Sequence, residues 1–145
     1  MATPVSSGTA RDPAATRPNL LPALQGVAAL FSLMVLVQAF LAGRAWFIHY
    51  SLFDVHRDVG MAAVLVALVL AVLAYAVGRP LGGLGPLFVI DLVIFVLAIV
   101  QLGLGFSGKD SNAAAAWHVA NGVFLFGLST ANLMLVFRPG RGAAL

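Results

Sequence analysis

Four stretches of this sequence leave the backbone almost no choice of conformation. Residues 20–42, 55–77, 84–106 and 113–137 are nearly unbroken runs of Leu, Val, Ala, Ile and Phe, and their only Asp, Lys or Arg side chains are Arg57, Asp58 and Asp91. Each run reaches the roughly 20 residues that a helix needs to cross about 30 Å of hydrocarbon. Lipid offers no water to an exposed N–H or C=O, so a spanning segment has to satisfy its backbone internally, and a helix does so. The pattern predicts an all-α polytopic membrane protein, an up-down-up-down four-helix bundle in a lipid bilayer. Composition agrees: 61% of residues are hydrophobic and only 9% charged, where a soluble domain carries about a quarter charged.

The net charge of +3 rests on a few arginines outside the spans, which fits membrane topology better than nucleic-acid binding. The chain has no cysteine, which excludes disulfides, thiolate zinc sites, iron–sulfur clusters and covalent haem attachment. Residues 1–18 are rich in Pro, Ala, Ser and Thr and lack the apolar core of a secretory signal, so they read as a disordered cytoplasmic tail. Residues 19–138 are the transmembrane domain and 139–145 a second tail. Asp54 and Asn112 stand where helix N-caps belong, "GRPLGGLG" reads as a turn, and "FRPG" ends the last helix. Arg11, Arg17, Arg79, Arg138 and Arg141 fall on one side, against Arg44, Arg57 and Lys109 on the other. That balance favours both termini in the cytoplasm. The segment "GRAWFIHYSLFD", with Trp46, Phe47, His49 and Tyr50, is then expected outside as a short interfacial helix.

The two halves of the chain repeat one another. Gln38 and Gln101 close equivalent runs, His56 and His118 open the next ones, and each histidine is followed at the fourth position by glycine, Gly60 and Gly122. Both halves then end in Arg-Pro, at Arg79-Pro80 and Arg138-Pro139. Two hairpins of the same direction imply a tandem duplication with a pseudo-two-fold axis along the membrane normal.

That symmetry puts His56 and His118 in one leaflet, facing each other if the axis passes between helices two and four. A b-type haem takes two imidazole nitrogens from opposite sides, about 4 Å apart across the iron. A glycine one turn from each ligand leaves room for a flat macrocycle, and Arg44, Arg57 or Lys109 can meet its propionates. Gly60, Ala63, Ala67, Ala71, Ala74 and Gly78 form a small-residue stripe below His56, which serves either such a pocket or plain helix packing. Two histidines without a nearby glutamate make only half a zinc site. On helix three, Asp91, Ile94, Ala98, Gln101 and Gly105 share a face, with Ser129 and Asn132 of helix four at the depth of Asp91. An aspartate inside a span is costly, so it is paired, protonated or functional. An Asp91–Ser129/Asn132 hydrogen-bonded clamp is one reading, and a proton or quinone-headgroup site the other.

The portion from Leu20 to Arg138 resembles a bacterial family of small four-helix integral membrane proteins without an assigned function. The likeness rests on "VLVQAFLAG", "HRDVG" and "HVANGVFLFGLSTANL". Many relatives read His-Pro-Val-Asn in the last motif; here Val119 replaces the proline, while His118 and Asn121 remain. More loosely, the chain is similar to four-helix b-type cytochromes and to one half of haem A synthase. That resemblance implies haem ligation by His56 and His118. The acidic motif of haem A synthase is missing, since the chain has no glutamate, which argues against the same reaction. The leading expectation is a b-type cytochrome-like protein, not an enzyme by itself. It would bind one haem between helices two and four and exchange electrons with a quinol or a redox subunit. The alternatives are a non-catalytic membrane subunit or scaffold without cofactor, or a small Asp91-dependent transporter, possible for so few helices only as a homo-oligomer.

Overall fold

A computed structural model describes residues 20–78 and 85–138. Among these, four helices follow one another: α1 (Leu21–Phe47), α2 (Leu52–Gly78), α3 (Pro86–Ser107) and α4 (Asn112–Val136). All four are long and apolar enough to cross a membrane, and together they mark a multi-pass membrane protein. The expected tails at 1–18 and 139–145, and the turn residues 79–84 with their Arg79-Pro80, lie outside the described residues.

Local chemistry sets the helix ends. Pro22 and Pro86 stand in the first turns of α1 and α3, where a missing N–H costs nothing. The cap of α4 is Ser111, whose hydroxyl accepts from the Ala114 amide at 3.3 Å, so Asn112 is the first helical residue and not the cap. Asp54 is likewise no cap. α2 begins at Leu52, and Asp54 sits in its first turn beside Arg57 at 3.1 Å. The largest departure from expectation is at the aromatic segment. α1 runs on through Trp46 and Phe47, leaving only residues 48–51 as a connection and no separate interfacial helix. Nothing between Ala42 and Phe47 breaks a helix except Gly43, and Arg44 in the last turn suits the helix dipole. Trp46, Phe47 and Tyr50 are exposed, with Trp46 and Tyr50 edge-on to Phe53.

The helices close a ring in chain order: α1 packs on α2 and α4, and α3 packs on the same two. α2 and α4 therefore face each other across the diagonal. Two hydrogen bonds tie the first helix to the last, Gln25 Nε2 to the Val136 carbonyl and Ser32 Oγ to the Ser129 carbonyl, each at 3.3 Å.

The buried positions repeat between the hairpins. Leu24, Ala28 and Phe31 on α1 stand in register with Leu87, Asp91 and Ile94 on α3, and all six are buried. Ala63, Ala67, Leu70 and Ala74 on α2 stand in register with Leu125, Ser129, Asn132 and Val136 on α4, again all buried. Both registers are the ones set by the Gln38–Gln101 and His56–His118 pairs. The alanines of the α2 stripe are spent on packing inside the bundle, where small side chains let helices approach. Leu, Val and Phe side chains such as Leu33, Leu65, Val96 and Phe124 cover the outside, as lipid contact requires.

Candidate functional site

The end of the bundle that carries the 48–51 and 108–111 connections gathers the repeated polar residues. His56 lies in the second turn of α2 and His118 in the second turn of α4, and their ring centroids are 6.0 Å apart with planes at 69°. Each ring is held by the helix before it. His56 Nδ1 donates to the Gln38 carbonyl at 3.1 Å, and His118 Nδ1 donates to the Gln101 carbonyl at 3.0 Å. A carbonyl only accepts, so the proton sits on Nδ1 in both rings and Nε2 keeps its lone pair. This is the tautomer in which a metal-binding histidine is oriented by a second hydrogen bond.

The glutamine side chains complete the arrangement and separate the two halves. Gln38 Nε2 donates to the His56 carbonyl at 2.8 Å, whereas Gln101 Nε2 donates to the His118 ring Nε2 at 3.3 Å. In the second half Asn121 Nδ2 donates to Gln101 Oε1 at 2.7 Å and to the Leu97 carbonyl at 3.1 Å. The first half has Val59 in the place of Asn121, and Gln38 Oε1 is buried without a hydrogen-bond donor. So the lone pair of His118 Nε2 is engaged, and that of His56 has no partner among the described residues.

The glycines do not leave open space. A Cβ on Gly60 would come within 3.3 Å of Gln38 Nε2, and one on Gly122 within 3.1 Å of Gln101 Nε2. The amides of the neighbouring helix thus fill the room that the sequence set aside for a macrocycle. Gly105, on the inner face of α3, is packed against His118. A Cβ there would lie 3.0 Å from His118 Cε1, so the imidazole rests directly on the backbone of α3.

The charged residues at this end are engaged or turned outward. Arg57 pairs with Asp54 at 3.1 Å and with Asp58 at 3.2 Å, and the Arg44 guanidinium lies over the Phe40 ring at 5.8 Å. Among the described residues no group of three or more His, Asp or Glu side chains is placed to hold a metal ion.

The second polar set lies toward the opposite end, ten residues or about 15 Å along α3 from Gln101. Asn132 Nδ2 donates to Asp91 Oδ1 at 2.6 Å, and both side chains are fully buried. Ser129 is buried beside them, but its hydroxyl donates to the Phe126 carbonyl of its own helix at 3.0 Å, so the clamp is Asp91–Asn132 without Ser129. Gln25 and Ser32 escaped the sequence reading because neither has a repeat partner or an acidic neighbour. Asn121 was visible only as a motif residue. Setting it against Val59 in the repeat is the signal that exposes its role. No family model, curated protein or solved structure matches this chain.

Proposed function

We propose that this chain is a small b-type cytochrome-like membrane protein, in which His56 and His118 would hold one haem between α2 and α4. The observation that carries this reading is the 6.0 Å separation of two imidazoles from diagonal helices, each with Nδ1 tied to a backbone carbonyl. Haem held this way supplies a one-electron ferric/ferrous couple. The protein orients both rings through Gln38 and Gln101 and seats His118 against Gly105. The Gln101 amide has to leave His118 Nε2, and the glutamine amides over Gly60 and Gly122 have to make way, before both nitrogens are available together. The bundle is placed in a bacterial inner membrane with both termini cytoplasmic and the histidine end outside. One haem near one face reaches only one side, so a quinol or a redox subunit completes the electron path.

The absorption spectrum of detergent-purified protein from haem-replete cells tests this. A Soret band with sharpened visible bands on dithionite reduction is expected, lost in His56→Ala and in His118→Ala. A colourless wild-type protein, or bands that survive both substitutions together, would refute it.

A second reading is favoured by one specific observation. The His56–Gln38 pair is reciprocal, with Gln38 Nε2 returning a bond to the His56 carbonyl, so the histidines also serve as clasps between helices. In a scaffold subunit without cofactor, the same substitutions lower the unfolding temperature and change no colour.

A further inference from the structure

The repeat supplies an internal control for the buried polar pair. Asp91 and Asn132 occupy the positions that Ala28 and Leu70 hold in the first hairpin, and Ser129 occupies that of Ala67. All of these are buried. The first hairpin packs the same level with alanine and leucine alone, so the fold itself does not call for an acid there. The second hairpin also leaves two acceptors without a donor: Asp91 Oδ2 and Asn132 Oδ1 are buried and unbonded, on the two groups already joined by the Asn132 Nδ2 to Asp91 Oδ1 bond. Burying an acceptor without a donor is costly, and burying an unpaired carboxylate more so.

We infer that the Asp91–Asn132 pair is an intramembrane proton-binding site, occupied at neutral pH. One proton on Asp91 Oδ2 makes that atom a donor and gives Asn132 Oδ1 the partner it lacks, so a single ligand satisfies both acceptors. No bond to carbon forms or breaks; the proton comes from solvent and returns to it. A metal cation would need a larger set of oxygens, and no group of three or more metal-binding side chains is present among the described residues. Among the described residues no ion pair reaches the carboxyl. α1 brings Leu24, Ala28 and Phe31 to the core, α2 brings Leu70 and Ala74, and α4 brings Ser129 and Val136. Tyr75 of α2 is exposed and stacks on Phe88. The site lies fourteen residues, about 21 Å, along α4 from His118 and does not depend on haem.

Infrared difference spectroscopy on the full-length protein in lipid at neutral pH tests the inference. The chain has no glutamate and few aspartates, so the carboxylic-acid C=O region is nearly clear. A single acid band is expected in the wild type. It should be absent from Asp91→Asn, and absent from Asp91→Ala/Asn132→Leu, which copies the Ala28–Leu70 pairing and should fold. The absence of an acid band from the wild type, or a band that persists in Asp91→Asn, overturns the proposal. Conversion of that band to carboxylate on adding sodium or potassium salts also overturns it, since the ligand would then be a metal cation.

Discussion

A single replacement, valine for asparagine, makes the two glutamine–histidine pairs unequal. Gln101 has its amide oxygen held by Asn121, so its amide nitrogen is aimed at the His118 ring; Gln38 lacks that brace and turns its nitrogen to the His56 backbone. Val59→Asn should therefore give Gln38 Oε1 its missing donor and raise stability by about 1 kcal/mol, the usual net worth of such a bond. Unfolding of the variant in mild detergent, compared with wild type, measures this. No gain, or a loss, would mean that the side chain at 59 does not reach Gln38.

The small residues of α2 show how an element's sequence can be legible in pattern and ambiguous in purpose. Ala63, Ala67, Ala71 and Ala74 were readable as one face from spacing alone, yet spacing cannot distinguish a pocket wall from a packing surface, because both need small side chains. The structure buries all four within the bundle. Ala67 is fully enclosed, and Ala67→Leu should cost about 1–3 kcal/mol through overpacking. Thermal aggregation in detergent would report it, and an unchanged midpoint would show a looser core than described. The four spans and the inward face of α3 were equally plain, since hydropathy and 3.6-residue periodicity reflect burial directly. The helix ends were not. Hydropathy marks what lies in lipid, whereas α1 continues beyond any apolar run because nothing stops it before Phe47. Serine and asparagine are adjacent at the start of α4 and both cap well, so only geometry selects Ser111. The His56–His118 approach followed from repeat symmetry, but the filling of Gly60 and Gly122 by glutamine amides followed from side-chain directions that spacing does not carry.

For the molecule as a whole, topology is the property most open to direct test. The chain has no cysteine, so any introduced thiol is a unique label. The placement proposed above predicts that Tyr50→Cys, in the connection between α1 and α2, reacts with a membrane-impermeant maleimide on intact cells. Ala144→Cys should react only after permeabilisation. The reverse pattern would put the histidine end in the cytoplasm.

The seam between the first and last helices is made by Gln25 and Ser32 reaching carbonyls of α4. It gives the two halves an address for one another that is not the same in both directions. The corresponding contacts of a hairpin with its own twin would bring together different donors, and two first halves would lack the acid–amide pair. If the chain is split between α2 and α3, the two halves should therefore pair with each other in preference to pairing with themselves.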